Sequence, residues 1–389
     1  MDTLAKATGR LGTETAFEVL AKARALEAEG RHVIHLEIGE PDFDTPANVV
    51  EAGIQALRDG HTHYGPSAGL PQVRKAFAEY AGGMRGVDVD PNHVVVTPGA
   101  KPVMFFGMMS LVDPGDEVIY PNPGFPIYES VIEYLGATAV PIRISEEKGF
   151  SLDVAELAEK VTPRTKMLIL NTPANPTGGV SVKADIEQIA ELAQKHDFWV
   201  LSDEIYSRIL YEGQHQSILS VPGMKERTIL LEGHSKTYAM TGWRLGFGVA
   251  PRRVADMMAR FMTNCNSCTA TFTQIAGVEA VTGSQAAAKA MVEEFRKRRD
   301  IIVDGLNAIP HVSCRKPLGA FYVFPNITET GMRASELADL LLREAGVATL
   351  AGTAFGAYGE GYLRLSYANS QENIRLALDR VREQIEKLH

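Results

Sequence analysis

Asp203, Lys236 and Arg244 stand in two segments, SDEIYSRILYEG at 202 to 213 and GHSKTYAMTGWRLGF at 233 to 247, each next to an apolar run of strand length. A carboxylate, an amine and a guanidinium brought together from different elements can hold a protonated ring nitrogen, a reactive aldehyde and a phosphate. Those are the demands of pyridoxal phosphate, and the two segments read as one such site.

Each residue has a plainer reading beside that one. Asp203 follows FWVLS, at the carboxyl end of a predicted strand, where open α/β sheets gather their ligands; Asp before IYSRI would equally be good helix-capping chemistry. Lys236 follows TILLEG among small and polar residues. It is either solvated or held and partly desolvated, as a Schiff-base amine must be to act as a nucleophile. Arg244 opens the run RLGFGVA, from which its planar fork can reach a phosphate.

Two further loops follow apolar strands. In NTPANPTGG (171 to 179) the prolines impose a rigid, extended turn that fixes the Asn175 amide as a donor. In TPGAK (97 to 101) the backbone N–H groups of Gly99, Ala100 and Lys101 would form an anion cradle at a helix N-terminus. The glycines of G-F-G at 246 to 248 lack the third glycine and the helix start of a dinucleotide fingerprint, which excludes that site.

The elements that must position these residues are legible as alternation. A helix from Phe17 to Glu29 leads to the short strand HVIHLEIG and the turn-rich EPDFDTP. Thereafter VVVTPG, EVIYP, TAVPI, MLILN, WVLSDE, TILLEG and LGFGVA are separated by helical stretches such as DIEQIAELAQKH. Runs apolar on both faces predict a largely parallel sheet between helices, an α/β fold. A charged helix from Ala286 to Ala308 follows, and ENIRLALDRVREQIEKL reads as a C-terminal surface helix.

With 389 residues, 45% of them hydrophobic, the chain predicts two domains. A net charge of −9 argues against a nucleic-acid partner. The basic run from Arg296 to Arg299 reads as a solvated helix face. No apolar span reaches about 18 residues and no signal-like core opens the chain, so no membrane partner and a cytoplasmic location are expected. Three cysteines make no disulfide framework, and C-x-x-C at Cys265 and Cys268 lacks a second pair, so no metal is expected.

The segments YGPSAGLPQVR, TPGAK, PNPGFPIY, NTPANPTGG, SDEIY, SKTYAMTGWRLG and GYLRLSYA, in that order, resemble the class I and II aminotransferases of the aspartate aminotransferase fold. The resemblance runs over essentially the whole chain. It is nearest to the prokaryotic subgroup that handles aspartate, aromatic or broad-range amino acids.

The resemblance implies a role for each matching position. Lys236 would form the Schiff base with pyridoxal 5'-phosphate and then carry the substrate Cα proton. Asp203 would keep the ring nitrogen protonated, with Tyr206 and Asn175 on the ring's O3′ and Phe125 stacked on the ring. Arg244 and the amides of Ala100 and Lys101 would hold the phosphate, joined by Tyr64 from a neighbouring subunit. Arg364 would grip the α-carboxylate, and Gly39 would let the backbone approach it, with Asn175 also near the substrate.

Three positions depart from the family pattern. Gly233 stands where many relatives have a phosphate-binding Ser, leaving Ser235 or His234 to compensate. His234 itself replaces a residue that is often apolar, and Ala351 replaces a proline before GTAFG.

The implied architecture is fold type I of the pyridoxal phosphate enzymes, with a small domain from residues 1–46 plus 285–389 and a large domain from 47–284. A homodimer with composite sites is implied, as is ping-pong amino transfer between an L-amino acid and a 2-oxo acid, 2-oxoglutarate being the expected acceptor. Two rivals remain: a pyridoxal phosphate C–S β-lyase, and a non-enzymatic regulator domain, for which the chain shows no helix-turn-helix or basic arm. On the substrate side chain, no Lys or Arg lies between Phe261 and Ala288 to bind a second carboxylate, and Lys101 is the alternative.

Overall fold

The structure, a computed structural model, describes residues 4–388. A first short strand, β1 (Ile34–His35), precedes the seven strands of the central sheet. These are β2 (Val94–Thr97), β3 (Glu117–Asn122), β4 (Thr138–Arg143), β5 (Thr165–Asn171), β6 (Trp199–Asp203), β7 (Thr228–Gly233) and β8 (Gly246–Val249). Their order is β2-β8-β7-β6-β5-β3-β4, and β8 alone runs antiparallel to its neighbours.

Every run predicted as a sheet strand forms one. The reason is visible in β5, whose side chains alternate between two separate cores: Met167 and Ile169 join one, Leu168 and Leu170 the other. A strand covered by helices on both faces needs apolar residues at successive positions, which is why the sequence shows runs rather than alternation.

Four more short strands follow: β9 (Tyr322–Val323), β10 (Val347–Ala348), β11 (Leu350–Ala351) and β12 (Leu363–Ser366). β1 pairs in parallel with β10, while β11, β12 and β9 form an antiparallel sheet. The Ser366 N–H donates to the Leu36 carbonyl at 2.7 Å. That bond stitches the segment approaching Gly39 to the strand that carries Arg364.

The predicted first helix runs over Thr15–Ala28, and the late ones over Ala286–Asn307 and Gln371–Glu386. One expectation fails on the Ala286–Asn307 helix: Arg298 and Arg299 are buried, not solvated. The Arg298 guanidinium bonds Asp42 at 2.7 Å and lies 4.8 Å from the Phe43 ring centre, and that of Arg299 lies 4.6 Å over Tyr211. Their partners come from distant parts of the chain, so stacking and ion pairing offset the desolvation that a charge run alone would not survive.

Candidate active site

A cavity of about 370 Å³ lies against the carboxyl ends of β3, β5, β6 and β7. This is the edge at which open parallel sheets expose loop residues and backbone ends to a ligand. Because β8 is antiparallel, the residues just before Gly246 reach the same edge, and Arg244 lines the cavity together with Asn175, Asp203, Tyr206, Lys236 and Arg364. Gly39, Ala100, Lys101 and Phe125 also line it.

Asp203 is the last residue of β6, and turns rather than a helix follow it. Its carboxylate accepts the Tyr128 hydroxyl at 2.6 Å and the Ile205 N–H at 3.2 Å. Burial raises the carboxyl to about 6 in spite of those two donors. Such a carboxylate favours a cation beside it. Behind it, Arg85 bridges Glu204 and Glu232 at 2.7 Å each, which holds this wall of the cavity in a buried ion network.

Lys236 follows β7, and its amine donates to the Gly39 carbonyl at 2.5 Å. Desolvation at the cavity wall brings the ammonium down to about 8, so a reactive free amine is accessible near neutral pH. Gly39 is held to glycine by space: a Cβ there would lie 2.3 Å from the Tyr322 hydroxyl. That hydroxyl in turn shares a 2.7 Å hydrogen bond with the Tyr206 hydroxyl. Burial raises both tyrosines, which keeps them protonated and able to donate.

Arg364, on β12, is 4% exposed and its guanidinium lies 4.6 Å from the Tyr322 ring centre and 4.9 Å from that of Phe355. One arm donates to the Glu37 carbonyl and the other to the Asn175 Oδ1 at 3.3 Å. Its Nε–H has no partner. A guanidinium has five donors, so the fork is oriented by the protein yet still needs an anion. Since Asn175 turns its oxygen to Arg364, its amide N–H groups remain as donors.

The end of the cavity next to Ala100 and Arg244 is shaped by glycines. Gly99 has φ +86°, and a Cβ on it would lie 2.1 Å from the Arg244 Nη2. A Cβ on Gly246 would lie 2.6 Å from the Ala100 backbone nitrogen, so the glycines of RLGFG let β8 pack flush against the loop before the helix Lys101–Met109. The amides of that loop and helix start, with Arg244, form a corner whose donors could hold an anion. Arg244 is exposed and holds φ 51°, a costly backbone for a non-glycine residue.

Of the two candidates to compensate for Gly233, Ser235 lines the cavity whereas His234 does not. His234 is buried with ring centres of Phe77, Tyr238 and Phe247 at 4.9, 5.8 and 6.1 Å, and burial lowers it to about 4, so it is neutral. A Cβ at Gly233 would lie 2.9 Å from Ile205 Cδ1, the far end of a flexible side chain.

Tyr64 is 89% exposed and does not line the cavity. Two tyrosines that do, Tyr128 and Tyr322, escaped the sequence reading of roles. Tyr128 closes the motif PNPGFPIY, so a signal existed; Tyr322, within the apolar run AFYVF, reads as core.

The sequence profile of the family "Aminotransferase class I and II" matches residues 31–381. The chain is 43% identical to an aspartate aminotransferase of Pyrococcus abyssi over 90% of this chain and 91% of that one. It is 42% identical to aromatic-amino-acid aminotransferase 2 of Thermococcus litoralis, with 90% of each chain covered. Among solved structures, an aspartate aminotransferase from Thermus thermophilus with maleate superposes with a TM-score of 0.95 at 39% identity, over 98% of this chain and all of that one. The architecture is therefore fold type I, as expected from the sequence, and amino-group transfer is the activity that the names of these relatives give. The chain belongs to the class I and II aminotransferase family.

Proposed function

We propose that this aminotransferase works with pyridoxal 5'-phosphate held by the cavity residues named above. The observation that carries the reading is the convergence of Lys236, Asp203 and Arg364 on one cavity from β7, β6 and β12. The donor set fits the cofactor. The partly desolvated amine suits an aldehyde, the buried carboxylate suits a protonated ring nitrogen, and the corner kept open by Gly99 suits a phosphate.

When bound, pyridoxal phosphate supplies an aldehyde for imine exchange and a ring that accepts the electron pair left as the substrate Cα proton departs. Lys236 would hold the aldehyde and carry that proton. Asp203 would keep the ring nitrogen protonated, with Tyr206 and the Asn175 amide as donors to the ring hydroxyl and Phe125 as a neighbour of the ring. Arg364 would align the α-carboxylate, with Gly39 giving the room.

The substrates in this reading are L-amino acids and 2-oxo acids, with 2-oxoglutarate the first acceptor to try, and the location is cytoplasmic. No helix among the described residues is long and apolar enough to cross a membrane. We further propose a homodimer in which Tyr64 serves a neighbour's phosphate; in support, its ring is exposed, and burying it would remove a large aromatic from water. In the same scheme residues 1–46 with 285–389 form the small domain and 47–284 the large one.

Holoenzyme mixed with an amino donor should lose its visible cofactor band, release the 2-oxo acid, and regain the band on adding 2-oxoglutarate. If no amino donor alters the spectrum, the reading fails. Pyruvate and ammonia from a β-substituted amino acid, in place of that cycle, would indicate the β-lyase.

Arg364→Lys should weaken all amino donors in parallel while the cofactor spectrum stays intact. A lysine cannot reproduce the bidentate fork. The loss of a buried, charge-assisted pair should cost about 2 to 5 kcal/mol in kcat/KM. A loss confined to acidic donors would make Arg364 a side-chain residue and reverse the substrate's orientation.

A further inference from the structure

With Arg364, Arg244 and Lys236 assigned to the α-carboxylate, the phosphate and the cofactor aldehyde, Lys101 is the remaining cation among the described residues that line the cavity. It starts the helix Lys101–Met109, and its ammonium lies 5.3 Å from the centre of the Phe125 ring. That places it beside the ring expected to cover the cofactor, within reach of a substrate side chain. The ammonium is already engaged. The Glu14 carboxylate, which also lines the cavity, forms a hydrogen-bonded ion pair with it.

Glu14 precedes the helix Thr15–Ala28, a position where side chains ordinarily cap the first turn, yet it makes no capping bond to its own helix. Its carboxylate is turned to Lys101 instead, with its side chain 19% exposed and that of Lys101 52%. On the two helices the cavity is further lined by Thr15, Ala16, Phe17 and Met104, of which only Thr15 is polar. This end of the cavity is therefore a neutralised ion pair set among mostly apolar groups.

We propose that Glu14 is a specificity-determining residue, because its carboxylate occupies on Lys101 the place that the distal carboxylate of a dicarboxylic amino acid or 2-oxo acid would take. The inference rests on the proposed orientation of the substrate, with its α-carboxylate on Arg364. An acidic side chain must displace Glu14 and then bear the repulsion of a like charge nearby. An uncharged side chain leaves the pair intact and meets its apolar surroundings. Glu14 thus sets the balance between acidic and uncharged substrates without touching the reacting atoms.

The test is calorimetric titration of the cofactor-loaded enzyme with succinate and with butyrate, which share a four-carbon chain and differ by the second carboxylate. Glu14→Gln keeps the size of the side chain and removes its charge. It should raise the affinity for succinate relative to butyrate by about tenfold. The ratio of kcat/KM for aspartate to that for phenylalanine should rise with it. Adding Lys101→Met to Glu14→Gln should cancel the gain, since the two residues act through one contact. A succinate-to-butyrate ratio that stays within about twofold of wild type in Glu14→Gln overturns the proposal. So does a gain that survives in the double variant. Because the titration reads binding and not turnover, a failure of the amino-transfer reading would leave this result standing, and the two fail separately.

Discussion

Lys236→Ala should lose essentially all amino transfer, and the cofactor should no longer be trapped on the protein by borohydride. In the proposed mechanism two duties converge on this amine, holding the aldehyde and moving the Cα proton, so its removal would take both at once. Nearby groups cannot take over. Arg364 remains protonated and oriented by Glu37 and Asn175, the Lys101 ammonium is paired with Glu14, and Tyr206 shares its hydroxyl proton with Tyr322. The surroundings of Lys236 are also tuned for it, since desolvation brings the ammonium to about 8 while the Gly39 carbonyl fixes its direction. Truncation removes one hydrogen bond at the cavity wall, so the fold should survive and a folded, inactive protein should be recovered. A borohydride-stable cofactor adduct in this variant would show that another amine carries the chemistry.

The placement of that lysine was legible because apolar runs mark strands and strand ends mark the ligand edge. TILLEG, WVLSD and MLILN announced where Lys236, Asp203 and Asn175 would stand, and the parallel order of β5, β6 and β7 then brought them to one edge. What strand logic does not carry is contact across long separations. Tyr322 sits in an apolar run, and nothing local distinguishes a core tyrosine from one whose hydroxyl meets Tyr206, 116 residues away. Glu14 and Lys101 are 87 residues apart, and each looks like an ordinary helix-terminal charge. The same limit misplaced Arg298 and Arg299: a basic run has the composition of a solvated face, and only tertiary structure supplies Asp42 and the ring of Tyr211.

Asp203→Asn should retain the cofactor and lose most turnover. The buried carboxyl sits at about 6, raised by burial and held back by the Tyr128 hydroxyl and the Ile205 N–H. A protonated ring nitrogen beside it would provide the missing counter-charge, and the carboxylate would keep that nitrogen protonated in return. Asparagine is isosteric and can accept from Tyr128 through its amide oxygen, at the loss of the Ile205 N–H bond that the other carboxylate oxygen accepts. It cannot stabilise a cation, however, and its N–H groups would favour an unprotonated ring nitrogen. The ring then accepts electrons less readily at the step where the Cα proton leaves. By the scale of other preorganised charge stabilisers, kcat should fall on the order of a hundredfold or more. Cofactor affinity should change far less, because the Lys236 linkage and the anion corner at Gly99 and Ala100 are untouched. The measurement is single-turnover loss of the visible band with a saturating donor, compared with the cofactor content of the same sample. Near-normal rates at full occupancy would remove Asp203 from the mechanism and leave it as a buried structural carboxylate.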